Sequence, residues 1–184
     1  MHQPLHNYRF CPLCGERVKS KKLKAHEPAR LVCSECAFVF YLDPKLVACA
    51  IIEMRDKIVL LKRKHHPQKG RWVVPGGYVD RGERVETAAL RETEEECGLK
   101  IRIKSILGVY SYENYMDVMV FYIAEYVSGE LFPGDETLEA ELYRPEEIPW
   151  QELAFQSTRD ALKDYCEVRQ VGVKTSVALL NEHM

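Results

Sequence analysis

Three glutamates at helical spacing form the part of the sequence best suited to chemistry. Glu95 and Glu96 follow Glu92 by three and four positions, and residues so spaced share one face of a helix. Carboxylates packed together raise one another's pKa unless a cation neutralises them. Because Mg²⁺ prefers a few carboxylate oxygens together with substrate phosphates, the cluster predicts a site for metal-assisted attack on a phosphate chain.

The residues around this cluster follow a fixed pattern that runs from a glycine loop to the end of a helix. It resembles the signature of the Nudix hydrolases, and eight positions match in register: Gly77, Glu83, Arg91, Glu92, Glu95, Glu96, Gly98 and Leu99. One position departs, because Thr93 stands where the family usually has an apolar residue, and we expect it to face the core. A solvated acidic helix face is the ordinary alternative, but charge runs of that kind do not follow this spacing.

The resemblance implies roles for the matching residues. The three helical glutamates would hold the catalytic Mg²⁺ or Mn²⁺, together with a backbone carbonyl near Gly76. Glu83 and Arg91 would pair and fix the glycine loop against the helix, since a guanidinium stays protonated and cannot act as a base. The glutamate that acts as general base differs among Nudix subfamilies and stays open.

A further carboxylate is expected from the segment after the signature. In NADH pyrophosphatases, a Nudix group that also carries a zinc ribbon, the similar region supplies a metal-binding glutamate, which in register is Glu139. A solvated glutamate at a strand edge is an equal alternative for this position. The candidates in this segment are Asp135, Glu136, Glu139 and Glu141.

Two kinds of residue beside the signature are candidates for substrate binding. Gly76 and Gly77 let the backbone turn tightly beside a ligand. The rings of Tyr78 and Tyr115 could stack on an adenine or isoalloxazine ring, with ordinary packing as the alternative. The basic run 62–71 would attract a diphosphate, or it forms a solvated loop.

Composition limits the class of protein. With 184 residues, the chain is long enough for one full domain and a small appendage. Its hydrophobic fraction of 46% is typical of a globular protein, and a net charge of −2 does not indicate a nucleic-acid or acidic-membrane partner. Because it has no stretch as long as a membrane span and no apolar signal core, we expect a cytoplasmic protein.

Four of the seven cysteines form two knuckles with eighteen residues between them, Cys11-Pro-Leu-Cys14 and Cys33-Ser-Glu-Cys36. This spacing is typical of a four-cysteine Zn²⁺ site. A disulfide framework fits poorly with the odd number of cysteines and an intracellular protein. Four thiolates close the coordination shell of the metal, so we interpret the Zn²⁺ as structural.

The segment between the knuckles is basic, and it contains Arg17, Lys19, Lys21, Lys22 and Lys24. Basic residues suit a nucleic-acid backbone. We nevertheless favour a solvated hairpin here, because the segment lacks the interleaved aromatic residues that stack on bases. Nucleic acid is therefore not an expected partner.

The pattern of apolar residues predicts the elements that position the site. Strands are predicted at 46–53, 57–64, 101–110, 116–127 and 139–144. A helix that begins near Glu83 and ends at Gly98 carries the glutamates. A second helix runs from a cap at Ser157 to about Gln170. Two helices among mixed strands suit an α/β sandwich with a mixed sheet, which is also the fold that the resemblance implies.

The same patterns predict the organisation and the activity. We expect a zinc ribbon in residues 1–40, a Nudix domain in 41–170 and a C-terminal tail in 171–184. The resemblance implies a homodimeric pyrophosphatase that cleaves a nucleoside diphosphate linked to another group, in the class of ADP-ribose, FAD or NADH. The alternatives are a hydrolase of nucleoside triphosphates or diadenosine polyphosphates, and a nucleotide-sensing regulator.

Overall fold

A computed structural model describes residues 8–181, with side chains as far as Arg169, as two compact units. One unit contains residues 8–44 and 113–116, and the other contains 45–112 and 117–181. Across the described residues, none of the helices combines the length and apolar character needed to cross a membrane.

The first unit is built on a small antiparallel sheet of three strands: β1 (Val18–Lys21), β2 (Arg30–Cys33) and β3 (Val39–Phe40). Leu31 and Cys33 are buried on one face of β2. Tyr8 packs its ring 4.9 Å from that of Phe40. The burial of so few side chains indicates that this unit depends on a further cross-link to hold its fold.

The second unit contains a mixed sheet of seven strands: β4 (Lys45–Met54), β5 (Lys57–Arg63), β6 (Trp72–Val73), β7 (Gly76–Tyr78), β8 (Leu99–Tyr110), β9 (Asp117–Gly129) and β10 (Thr137–Tyr143). Their order in the sheet is β10-β5-β4-β9-β8, with β6 beside β5 and β7 beside β4. β4 and β9 are parallel, while the other paired strands are antiparallel.

One helix covers each face of this sheet, because the side chains of β4 alternate between two cores. Helix α1 (Val85–Cys97) packs Ala88 and Ala89 against Ala48 of β4. Helix α2 (Gln156–Asn181) packs Leu162 and its neighbours against Ile51. The α/β sandwich predicted from the sequence is confirmed.

The boundaries of the helices differ from those predicted. Helix α1 begins at Val85, because Glu83 is held in the preceding turn, where its amide donates to the carbonyl of Asp80. It ends as predicted at Gly98, which has the left-handed φ of 72° that favours glycine. Helix α2 begins at Gln156, one residue before the predicted cap, and continues to Asn181 through residues that we expected in a tail. Residues 182–184 of that tail lie outside the described residues.

Candidate active site

The glycine loop meets helix α1 at two points. The backbone N–H of Gly76 donates a 2.9 Å hydrogen bond to Oε2 of Glu96. A Cβ at position 77 would meet the carboxylate of Glu92, so any larger residue there would displace that carboxylate from the loop. Because β7 pairs with the buried strand β4, the loop cannot easily withdraw. The carboxylates of Glu92 and Glu96, two of the three candidates, therefore lie against the backbone of the glycine loop.

Arg91 connects the loop to the carboxylates. Its Nε and Nη2 atoms donate to both carboxylate oxygens of Glu83 at 3.0 and 2.9 Å, so the expected pair is present. Nη2 also donates to the carbonyl of Tyr78 at 3.1 Å. Nη1 reaches Glu92 at 2.7 Å and Glu95 at 3.3 Å. A planar guanidinium can serve several acceptors at fixed angles, which makes Arg91 a positioning residue.

The electrostatics of the cluster favour a bound cation. Burial raises the pKa of Glu96 to about 7, and the nearby charges of Glu92 and Glu136 also raise it. Burial likewise raises the pKa of Glu92. Hydrogen bonds from Arg91 lower the pKa of Glu83. The carboxylates of Glu92 and Glu96 thus lack sufficient counter-charge, and a hard divalent cation such as Mg²⁺ or Mn²⁺ fits this donor set.

A loop before β10 docks on the C-terminal end of α1. The N–H of Gly134 and the hydroxyl of Thr137 both donate to the carbonyl of Glu96, at 2.9 and 3.2 Å. A side chain at position 134 would collide with the carbonyl of Glu95. This close fit brings Glu136, two residues after Gly134, to the edge of the carboxylate cluster.

Glu136 and Glu96 line the same cleft. The polar side chains around it are Arg63, His65 and Thr137. Two carboxylates and two basic side chains in one cleft can bind a cation and a phosphate chain together. We named Glu136 as a candidate but did not select it. The signal that could have identified it is the Pro133-Gly134 turn, which lets the loop approach the helix.

Glu139, the residue expected to complete the metal site, lies elsewhere. Both of its carboxylate oxygens accept from Nζ of Lys62, at 3.0 and 3.1 Å. Strand β10 alternates so that Ala140 packs on the core beneath α1, while Tyr143 packs on the opposite core, its ring 5.3 Å from that of Trp72. By this alternation Glu139 faces away from α1, so the structure does not place it with the glutamates of the signature.

The two tyrosines expected at the substrate site differ in their surroundings. Lys45 lies 5.8 Å from the centre of the Tyr78 ring, and Tyr78 forms a hydrogen bond with Asp117. The ring remains 55% exposed, which leaves room for stacking. Tyr115 belongs to the segment 113–116, which groups with the first unit, whereas the glutamates of α1 belong to the second.

Thr93, the departure from the signature, is fully buried, as expected. Its hydroxyl donates a 2.8 Å hydrogen bond to the carbonyl of Ala89, one turn earlier in α1. A buried hydroxyl with a partner costs little free energy of folding. The departure therefore leaves the helix, and the glutamates on it, in place.

The four knuckle cysteines converge in the first unit. All four sulfur atoms lie within 4.8 Å of one another, and the pairs Cys11–Cys36, Cys14–Cys33 and Cys14–Cys36 are 3.7, 3.4 and 3.5 Å apart. A tetrahedral Zn²⁺ with bonds of about 2.3 Å requires sulfur separations of about 3.8 Å. The cluster fits that metal. Across the described residues, no other group of three or more potential ligands is drawn so close, and the helical glutamates are more widely spread.

Comparison with known families agrees with this geometry. Residues 43–165 match the family described as NUDIX domain, and residues 9–42 match the one described as Nudix N-terminal, a zinc ribbon. The chain belongs to the Nudix hydrolases. The first match contains the glutamates of α1 and the loop before β10, and the second contains the four cysteines.

Two relatives with assigned names illustrate the similarity. An ADP-ribose pyrophosphatase of Methanocaldococcus jannaschii is 37% identical over 157 residues, which cover 83% of this chain and 87% of that protein. An NAD-capped RNA hydrolase NudC of Photobacterium profundum is 30% identical over 73% of this chain. The alignment covers 48% of that NudC, so this Nudix chain spans about half the length of the second relative.

Solved structures show the same architecture. A NUDIX hydrolase from Nitrosomonas europaea superposes with a TM-score of 0.86 at 33% identity, covering 90% of this chain and 94% of that one. A MutT NUDIX hydrolase from Burkholderia pseudomallei superposes with a TM-score of 0.61 at 33% identity, covering 67% of this chain and 98% of that one. The larger coverage of the first indicates that it matches more than the Nudix domain.

Proposed function

We propose that this Nudix hydrolase cleaves, with a divalent metal, the pyrophosphate bond of a nucleoside diphosphate linked to another group. ADP-ribose, FAD and NADH are the substrate class, and a nucleoside monophosphate is one product. The observation that carries the proposal is the intact carboxylate cluster, in which Glu92 and Glu136 both lie close enough to Glu96 to raise its pKa. A nucleotide sensor would not need to keep these charges together.

The relatives support the choice of substrate class. The ADP-ribose pyrophosphatase is similar over nearly the whole of both chains. The NudC relatives are named for a substrate that contains NAD, and they are similar over about three quarters of this chain. We therefore place ADP-ribose first and NADH second in the class, with FAD as a third candidate.

The residues of the site have distinct roles in this proposal. Glu92, Glu95, Glu96 and Glu136 would hold Mg²⁺ or Mn²⁺, which when bound neutralises phosphate oxygens and lowers the pKa of a bound water. Arg91 holds Glu92 and Glu95 in position and fixes the carbonyl of Tyr78.

Arg63 and His65 lie in the cleft beside Glu96 and suit the negative charges of a diphosphate. The guanidinium of Arg63 is held by the carbonyl of Pro67 at 3.0 Å and lies 5.0 Å from the centre of the Phe155 ring. A cation fixed in this way loses less conformational entropy when it binds a phosphate.

In the first unit, the four cysteines would hold a structural Zn²⁺. With four thiolates the metal has no open position for substrate, so its contribution is to the folding of residues 8–44. The homodimer that the resemblance implies stays a prediction, which light scattering on the purified protein would test.

Chromatographic analysis of products tests the activity. The protein is incubated with Mg²⁺ and, in parallel, with ADP-ribose, FAD, NADH, diadenosine polyphosphates and nucleoside triphosphates. We expect rapid release of AMP from one or two of the first three. Turnover of only the triphosphates or polyphosphates would contradict the substrate class, and binding without turnover of any compound would contradict the proposal that it is an enzyme.

A further inference from the structure

One face of the small sheet in the first unit carries a row of cations. In the antiparallel pairing of β1 and β2, Lys21 lies opposite Arg30 and Lys19 lies opposite Val32. Directly opposite residues share a face of a sheet. Because side chains alternate along a strand, Arg17, just before β1, continues the same row. Four cations thus project from one side: Arg17, Lys19, Lys21 and Arg30.

This face points away from the core of its unit. Leu31 and Cys33 alternate with Arg30 along β2 and are buried on the other face, where Cys33 joins the cysteine cluster. Lys19 and Lys21 are exposed. We call the outward side, with Arg17, Lys19, Lys21 and Arg30, the basic face.

Aromatic rings lie among these cations. The guanidinium of Arg30 lies 5.0 Å from the centre of the Tyr41 ring, and that of Arg17 lies 5.9 Å from the centre of the Phe10 ring. Tyr41 is 58% exposed and Phe10 is 57% exposed. Tyr41 comes from the segment after β3, and Phe10 forms a bridge with Arg17. The basic segment between the knuckles has no aromatic residues of its own. The fold supplies them by bringing Phe10 and Tyr41 beside its cations.

The charges of the basic face are not neutralised by carboxylates. Among the residues that the structure describes, none of Lys19, Lys21 and Arg30 forms an ion pair, whereas neighbouring Lys24 pairs with Glu27 at 2.9 Å. The first unit is also more basic than the rest of the chain: residues 8–44 contain seven Lys and Arg and four Asp and Glu, although the whole chain has a net charge of −2. This excess of positive charge would attract an anion to the basic face.

We infer that the basic face binds single-stranded nucleic acid. Its cations would contact the phosphates, and unpaired bases would stack on Tyr41 and Phe10. The carboxylates of an acidic peptide or the headgroups of an anionic membrane would also bind the cations, but these groups offer no planar rings for the two exposed aromatic side chains. The inference does not depend on the proposed hydrolysis, since none of these residues belongs to the carboxylate cluster.

Fluorescence anisotropy with a labelled, unstructured oligonucleotide of about 12 residues tests the inference, because strand-binding sites of this kind cover roughly 4–16 nucleotides. The full-length protein is used, with RNA and DNA probes in parallel. We expect saturable binding to at least one of them, with log K falling by about 2 per tenfold increase in salt if about three phosphates are contacted.

Three variants separate the basic face from general charge effects. The double variant Lys19→Glu, Lys21→Glu is expected to weaken binding at least about tenfold, and Tyr41→Ala by several-fold. Lys163→Glu changes the charge at an exposed position of α2 in the other unit and is expected to bind almost normally. Each variant is used only if its zinc content and its hydrolytic rate match those of the unmodified protein.

Several outcomes would overturn the inference. The first is no binding of either probe at 50 mM salt. The second is equal weakening by Lys163→Glu and by the double variant. The third is release of the oligonucleotide by phosphatidylserine vesicles at a lower charge concentration than by unlabelled RNA, which would identify a membrane surface as the preferred partner.

Discussion

The amide of Gly76 and the carboxylate of Glu96, 20 positions apart in sequence, are joined by a 2.9 Å hydrogen bond. This bond fixes the loop to the helix, and it occupies one oxygen of a carboxyl group that burial has made a weak acid, with a pKa of about 7. Glu96 is thus rigidly placed and poorly neutralised by the protein. A group in that state gains most from a cation.

Removal of the charge of Glu96 should abolish hydrolysis. In Glu96→Gln, the amide oxygen can still accept from Gly76, so we expect an intact fold and a loss of kcat of at least about 100-fold, because metal-held charge stabilisation is worth several kcal/mol. Glu95→Gln should lose activity as well. The control is Glu94→Gln on the same helix, whose carboxylate is exposed and pairs with Lys100. Near-normal turnover in both Glu95→Gln and Glu96→Gln would contradict the proposed metal site.

Two glutamates near β10 should differ in importance. Glu136 lines the cleft with Glu96, while Glu139 pairs with Lys62 on the other face of the sheet. We expect Glu136→Gln to lower kcat by about 10- to 100-fold, the usual cost of disturbing a metal site, and Glu139→Gln to change it less than about twofold. Steady-state kinetics at several Mg²⁺ concentrations checks both. The reverse order would restore the assignment made from sequence.

Without metal, the stability of the protein should fall as the pH rises. The carboxyl group of Glu96 titrates near 4.5 when exposed and near 7 when folded, so between these values the folded state binds a proton that the unfolded state does not. The free energy of unfolding therefore decreases over this range, by roughly 3 kcal/mol.

Urea denaturation between pH 4.5 and pH 8, in the presence of a chelator, measures this slope. Glu96→Gln should flatten it, since the group that binds the proton is gone. Mg²⁺ added at pH 8 should recover stability for the unmodified protein but not for the variant. A slope that Glu96→Gln leaves unchanged would show that other groups cause it.

Loss of Arg91 should affect stability as well as activity. Its side chain is 30% exposed and that of its partner Glu83 is 14% exposed, so Arg91→Ala leaves a largely buried carboxylate without its donors. We expect the free energy of unfolding to drop by about 2 kcal/mol. Arg102→Ala is the matched control, since Arg102 is 75% exposed in its pair with Glu125 and should cost less than about 1 kcal/mol. Equal effects in urea denaturation would contradict this view of Arg91.

Removal of Zn²⁺ should unfold the first unit alone. Residues 8–44 bury few large side chains, so chelation or Cys33→Ser is expected to expose the basic segment 17–24 to trypsin. Cys166→Ser, a half-buried position of α2, is the control. Limited proteolysis with mass spectrometry, together with metal analysis, measures the effect. Cleavage in this segment that chelation does not change would argue against a structural metal.

The sequence was most informative where a local pattern determines the outcome. The spacing of the glutamates predicts α1 because a helix repeats over neighbouring residues, and Gly98 marks its end through a left-handed conformation that favours glycine. The hairpin at Arg55-Asp56 follows from two apolar runs, and β4 and β5 pair across it.

Features that depend on tertiary contacts were harder to predict. The resemblance assigned the extra carboxylate to Glu139 by counting along the chain. The pairing of β10 with β5 shifts in register between Thr137 and Glu139, and the strand then turns Glu139 away from α1. The carboxylate that reaches α1 is determined by the docking of Gly134 on the carbonyl of Glu96, a contact between residues almost 40 positions apart. The exposed rings beside Arg17 and Arg30 likewise come from outside the segment between the knuckles.

Thr93 bears on how relatives of this chain can be recognised. Its hydroxyl is satisfied by the carbonyl of Ala89 within the same helix, and threonine has nearly the shape of valine. The family signature at this position thus constrains volume and burial, and it admits a polar atom that bonds to its own helix. A protein that diverges here by the same substitution can keep its glutamates in place, and a search that demands a hydrocarbon side chain would pass over it.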